Sequence, residues 1–331
     1  MQRTPITTYR FFFKPTNGFE YPRYFDAFNK CLTSVWNPLE VDMSVDLIDW
    51  DKASAAEKEI IAGILRGFTQ IETVIGDYWS NVVAKIFPKP EVVVMCYAFS
   101  FFEGLHAFGY NHLSSTLGLD EYSAYYSDPT AQEKIEYLLF NQSSPKVKLA
   151  VFSGCAEGVA LFSSFSILLS FAKEGKFKGL SQIISWSIID EQNHSIEGGE
   201  LFKELVKLEQ LTEDEKEKIK AGFFAVLENE IKFINRAFGE FESINGIEKS
   251  SFIDFIYERA NERARNLELG DLIYFEYNAE NARKVSEWFY PLAEGNISND
   301  FFTHSKEGSL YVAKPTLDRS QINWEELSKI Y

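Results

Sequence analysis

The chain holds 331 residues, 45% hydrophobic and 16% aromatic, including 30 Phe and 16 Tyr; that is ample material for a large core and excludes wholesale disorder. A net charge of −16 argues against non-specific binding to nucleic acid or to an anionic membrane, both of which need a basic face. Three scattered cysteines, Cys31, Cys96 and Cys155, exclude a disulfide framework or a Cys-rich zinc site, and with no apolar stretch of signal-peptide type at the N-terminus they fit a cytoplasmic protein.

The first fifty residues, rich in aromatics, Pro and Asn, read as an irregular arm with short helices. Ser54 then suits the N-cap of a helix running to Phe87, stopped by Pro88 and Pro90. Pro90 in turn opens a helix to about Thr116, with Gly118 able to end it. A short helix is expected around 131–140, followed by a break at Asn141–Pro145. A long apolar helix is expected over Lys146–Lys173, another over Gly179–Leu208, a capping-box start at Thr212 leading to about Phe241, and a further helix over Ser250–Leu267. Strand patterns are few, no repeat is visible, and no Gly-rich phosphate loop is present. The fold expected is all-α, a bundle of long helices. Residues 1–291 form the helical domain and 292–331 a tail, either a frayed terminus or a segment that folds onto a partner.

Leu149 to Ala172 is nearly free of charge and long enough to span a bilayer. Glu157 and four serines interrupt it, and a carboxylate in lipid is costly. A helix buried at the centre of a soluble bundle is the better reading, and Glu157 then needs a partner.

Two of the four histidines stand three residues after a glutamate, in Glu103-Gly104-Leu105-His106 and Glu191-Gln192-Asn193-His194. Composition alone would produce this roughly one time in ten, so setting must decide. Residues i and i+3 share a helix face. The face of His106 continues through Phe99, Cys96 and Val92 one way and Tyr110 and Leu113 the other; that of Glu191 carries Ile184 and Ile188. Glu72 lies on a stripe with Leu65, Phe68, Ile75 and Trp79, and Glu157 sits with Ala160, Leu161 and Phe165. Four carboxylates on apolar stripes are expensive unless paired, and these helices offer almost no Lys or Arg to pair them. One Glu from each of two helices plus Glu-x-x-His from each of two others is the ligand set of ferritin-like di-iron and di-manganese proteins. Four negative charges offset two divalent ions, and carboxylate with imidazole suits Fe or Mn better than structural zinc.

At these residues the chain resembles the small, radical-generating subunit of class I ribonucleotide reductase. Ala98-Phe99-Ser100 before Glu103 and His106, with Tyr110 four residues on, looks like that family's first ligand helix. Asp190 preceding Glu191 and His194 looks like its second, and Val35-Trp36-Asn37-Pro38-Leu39-Glu40-Val41-Asp42 resembles its N-terminal tryptophan motif. The resemblance implies a ferritin-like fold and a dinuclear centre (Fe2, Mn2 or Mn/Fe) held by Glu72, Glu103, His106, Glu157, Glu191 and His194. It also implies a radical at Tyr110 or its equivalent on the metals, and an electron route through Trp36, Asp190 and His106. Tyr311 is the choice for a relay in the tail, with Trp324 and Tyr331 competing. The partner implied is the catalytic large subunit, which reduces ribonucleotides to deoxyribonucleotides; a homodimer is expected, and a flavoprotein activator stays open. Glu72 stands where most members have Asp, which leaves the metal pair and the site of the stored oxidant open; Ser187 adds polarity to the pocket. A stand-alone di-metal oxidase or monooxygenase is the alternative, and ferritin-type metal storage a third reading.

Overall fold

A computed structural model describes residues 4–9, 18–119 and 144–293. The expected helix at 131–140 and the tail with Tyr311, Trp324 and Tyr331 lie outside the described residues.

The N-terminal arm contains α1 (Pro22–Leu32), a 3₁₀ turn at Pro38–Glu40 and α2 (Ser44–Lys52). Helix α3 (Ala55–Asp77) starts with a capping box: Glu57 N donates to Ser54 Oγ at 3.3 Å and Ser54 N to Glu57 Oε2 at 2.7 Å. It does not run uninterrupted to Phe87 but passes through a π-helical stretch, Tyr78–Val83, into α4 (Ala84–Ile86). Pro90 opens α5 (Pro90–Thr116) as expected.

The apolar run expected as one helix is divided. It comprises α6 (Pro145–Lys148), a π-helical stretch Leu149–Ala156, α7 (Glu157–Val159), a turn at 160–161 and α8 (Phe162–Lys173). Helix α9 (Lys178–Leu208) follows. Its orphan N-terminal amides are capped from α2, 133 residues away: Gly179 N and Leu180 N each donate to Asp46 at 2.8 Å. Burial pushes the Asp46 carboxyl up to about 6 against the pull of those amides.

Helix α10 (Glu213–Phe238) opens with the Thr212–Glu215 capping box and stops three residues before the expected Phe241. A hairpin of β1 (Ser243–Ile244) and β2 (Ile247–Glu248) pairs Ser243 with Glu248. Helices α11 (Lys249–Asn266) and α12 (Ala279–Ala293) complete the described chain; α12 carries Pro291 near its end and extends past the expected boundary at 291.

Helices α3, α5 and α9 and the α6–α8 segment pack around one continuous core. Among the described residues, two helical stretches, Pro90–Thr116 and Pro145–Lys173, are long and apolar enough to cross a membrane. The apolar window of the second is 94% buried within the fold, so its hydrophobicity serves the core.

Candidate metal centre

Glu72 from α3, Glu103 and His106 from α5, Glu157 from α7, and Glu191 and His194 from α9 meet in the middle of the bundle, each at most 1% exposed. Their ligand atoms form two overlapping groups, Glu72–Glu103–His106–Glu191 and Glu103–Glu157–His194, with all atoms of a group within 4.8 Å of one another. Glu103 belongs to both. Its Oε1 lies 2.8 Å from His194 Nδ1 and its Oε2 3.4 Å from His106 Nδ1. Glu191 spans the same two rings, at 2.9 Å from His106 Nδ1 and 3.5 Å from His194 Nδ1. Both imidazoles therefore turn Nδ1 towards the shared carboxylates.

Charge this deep must be compensated. Among the described residues, both oxygens of Glu72, Glu103 and Glu191, Oε2 of Glu157 and Nδ1 of both histidines lack a hydrogen-bond partner. Unpaired polar atoms at such density in a core suit a bound cation rather than packing alone. Burial, aided by the neighbouring carboxylates, drives Glu72 well above the usual carboxyl range, and burial drives Glu157 the same way. For Glu103 burial works upward too, but the His194 and His106 imidazoles overcome it and bring it down to about 2. Burial disfavours the imidazolium, yet Glu103 and Glu191 raise His194 to about 10, and Asp190, Glu103 and Glu191 raise His106 well above its ordinary value. The set of oxygen and imidazole donors fits a pair of divalent transition-metal ions.

The surroundings orient these ligands. His106 Nε2 lies 3.4 Å from Asp190 Oδ2, and the same oxygen accepts from Trp36 Nε1 at 2.8 Å. Trp36 is stacked on His106, ring centres 5.9 Å apart, so the arm's tryptophan joins a candidate ligand through both a hydrogen-bonded carboxylate and a ring face. Trp79 Nε1 donates to Glu157 Oε1 at 2.7 Å. That contact escaped the sequence reading, although Trp79, seven residues after Glu72 on its stripe, was the one polar-edged ring there.

Tyr110 is fully buried, its ring 6.2 Å from that of His106 and 4.6 Å from that of Phe68. Ser187 is the polar side chain nearest its hydroxyl; Ser187 Oγ donates to the Ile183 carbonyl at 3.1 Å, which leaves that oxygen free to accept from the phenol. Burial pushes the phenol well above its ordinary pKa, so it stays protonated. Position 198, the counterpart of Tyr110 in the second motif, is Gly for a steric reason: a Cβ there would stand 2.2 Å from Ser153 Cβ.

Fold and donor set together define a ferritin-like helical protein with a carboxylate–histidine centre. The family model for "Ribonucleotide reductase, small chain" matches residues 14–281, and the chain belongs to that family; it is a small subunit of an oxidoreductase that works with a large subunit. It is 32% identical over 282 residues to the probable ribonucleoside-diphosphate reductase small subunit 048L of Invertebrate iridescent virus 3, covering 75% of this chain and 72% of that one. To the ribonucleoside-diphosphate reductase 2 subunit beta of Escherichia coli K12 it is 25% identical, over 90% of this chain and 93% of that one. Among solved structures, dimanganese(II)-NrdF of Streptococcus sanguinis aligns at a TM-score of 0.74 with 22% identity, covering 88% of this chain and all of the other. The Rnr4 homodimer of Saccharomyces cerevisiae aligns at 0.69 with 16% identity, covering 85% and 90%.

Proposed function

We propose that the chain is the radical-generating subunit of its reductase, with Glu72, Glu103, His106, Glu157, Glu191 and His194 as ligands of a dinuclear centre of Fe2, Mn2 or Mn/Fe. The observation that carries this reading is the union of six buried, otherwise uncompensated ligands with a hydrogen-bonded outlet, His106–Asp190–Trp36. The metal pair supplies the oxidising power. The residues then divide the remaining work. Tyr110, buried and held as a neutral phenol beside the Glu72 carboxylate, is the group to be oxidised and to retain the radical. Asp190 fixes the Trp36 indole and the His106 ring against one another, so that charge leaves the core along one path. Trp36 sits in a segment that exposes Leu32, Val35, Leu39, Val45, Leu47 and Ile48, an apolar surface suited to the catalytic large subunit. Tyr311 in the tail is the relay to that subunit, residues 292–331 its docking segment and 1–291 the metal-binding domain.

The dimanganese(II) state of the Streptococcus relative makes Mn the first metal to load, with a flavoprotein activator added as one arm. With the large subunit, the metallated full-length chain reduces ribonucleotides, and deleting the last twenty residues abolishes turnover. No turnover with a cognate large subunit defeats the proposal. A tyrosyl signal in electron paramagnetic resonance disappears in Tyr110→Phe; full turnover in that variant moves the stored oxidant to the metals.

Support for a homodimer comes from the outer face of α5, where Tyr97, Phe101 and Phe108 are 57%, 54% and 43% exposed. Rings repeated along one helix face are costly in water and suit a second copy. Phe101→Glu is expected to convert dimer to monomer in sedimentation velocity; an unchanged dimer places the interface elsewhere. The three cysteines are free and buried, consistent with a reducing cytoplasm.

A further inference from the structure

The segment that carries Glu157 is interrupted directly after it. One turn of α7 ends at Val159, Ala160 and Leu161 form a turn that keeps right-handed helical backbone angles, and α8 restarts at Phe162. The last carbonyls of a helix lack intrahelical partners, and in a core each needs another donor. At Gly158, the residue after Glu157, a side chain 101 positions away fills that need: Arg259 Nε of α11 donates to the Gly158 carbonyl. The guanidinium carbon of Arg259 lies 3.3 Å from the ring centre of Phe162, the first residue beyond the turn. Its Nη1 donates to Tyr290 Oη at 3.5 Å. One side chain thus grips both sides of the interruption.

The grip is expensive. Arg259 is 1% exposed, burial lowers its pKa to about 10, and no carboxylate stands within ion-pair distance among the described residues. Nη2 lacks any hydrogen-bond partner among the described residues. Its charge is met at a distance by Glu262, which accepts from the same Tyr290 hydroxyl at 3.3 Å; a guanidinium buried without a direct ion pair opposes stability, so an apolar residue would serve packing better. Gly158 also lets two other side chains close in: a Cβ there would stand 2.6 Å from Arg263 Cδ of α11 and 2.6 Å from Ser195 Oγ of α9. Ser195 follows His194, so α9 and α11 close on the same carbonyl-bearing residue.

We propose that Arg259 is a positioning residue for the Glu157 carboxylate, clamping the Gly158 carbonyl and the Phe162 ring so that Glu157 meets Glu103 and His194. The proposal rests on the metal-centre reading above. Glu157 enters only the group with Glu103 and His194, whereas Glu72, His106 and Glu191 form the other with Glu103. Loosening the clamp therefore acts on one ion and spares the other.

The test is Mn(II) binding to the full-length, metal-free chain, titrated by calorimetry and by the resonance signal of free Mn(II). Wild type binds two ions. Arg259→Met is expected to weaken one binding step at least about tenfold, the scale seen when a ligand's supporting partner is removed, and to leave the other within about twofold. Arg259→Lys, which keeps a donor and a charge, is expected to fall between. Circular dichroism and Tm of the metal-free variants report the fold separately; should the Met variant fail to fold, the Lys variant carries the test. A purely structural role would lower Tm and weaken both steps together, and that result overturns the proposal, as do two unchanged affinities in folded variants. A wild-type chain that binds no Mn(II) overturns the metal-centre reading and the clamp with it, whereas two ions in wild type with unaltered variants defeat the clamp alone.

Discussion

Alanine in place of Glu103 empties both halves of the centre, whereas alanine at Glu72 or Glu157 empties one. The difference follows from geometry. Glu103 is the one residue common to the two ligand groups, with Oε1 at 2.8 Å from His194 Nδ1 and Oε2 at 3.4 Å from His106 Nδ1. Glu72 and Glu157 each enter a single group. Removing a supporting partner of a ligand already costs about 10–100-fold in affinity, so loss of a shared ligand should exceed about a hundredfold for each ion, or about 2.7 kcal/mol apiece. Metal content after dialysis against the apo buffer reads this directly: two ions per chain in wild type, one in Glu72→Ala and in Glu157→Ala, none in Glu103→Ala. Two ions retained by Glu103→Ala would refute a shared carboxylate and with it the dinuclear arrangement.

How far the chain could be read without coordinates depended on whether the relevant contact was local. Glu103 with His106 and Glu191 with His194 are legible because helix periodicity places i and i+3 on one face. Glu72 and Glu157 are legible as conflicts, charges on apolar stripes with no basic neighbour. The division of the apolar run around Glu157 is not legible. Leu149–Ala156 has an apolar residue or a serine, glycine or cysteine at every position, so neither periodicity nor a breaker marks where i→i+5 bonding begins. The turn beyond Glu157 has its partner in Arg259, 101 residues downstream of Gly158, and no local rule connects them.

The helix starts divide along the same line. Ser54–Glu57 and Thr212–Glu215 cap themselves within three residues and could be read directly. The start of α9 is capped by Asp46, whose place depends on α2 folding over that end. Helix α12 carried a local signal that went unread: Asn278 Oδ1 accepts from Glu280 N at 3.0 Å and Asn281 N at 3.2 Å, an N-cap just before Ala279. Trp79 and Asp190 show the limit for function. Both sit where periodicity puts them, but that one holds Glu157 and the other couples Trp36 to His106 is tertiary information.

Loading the centre with divalent metal should expel protons, and the gain in stability on loading should widen as pH rises. In the metal-free chain His194 titrates at about 10 and His106 well above its ordinary value, because Glu103 and Glu191 outweigh burial, with Asp190 adding to the effect at His106. Burial also keeps protons on Glu72 and Glu157 far above the usual carboxyl range. Ligation needs neutral imidazole with Nδ1 free and carboxylate oxygens free. Near pH 7.5, then, His194 surrenders a proton on ligation, and His106, Glu72 and Glu157, shifted in the same direction, raise the number released above one. Calorimetry in buffers of differing ionisation enthalpy measures that number as a slope. The sign for stability is fixed by linkage. All four groups have raised folded-state pKa values, so the folded metal-free chain holds more protons than the unfolded one above pH 6.5. Their stabilising contribution is complete below the unfolded pKa and is lost as pH climbs, for His194 through about 10. The loaded protein has already released these protons and escapes that loss. Its Tm advantage over the metal-free form should therefore grow between pH 6.5 and 8.5; a constant advantage, with no proton release, would mean that the ions bind elsewhere than at these four side chains.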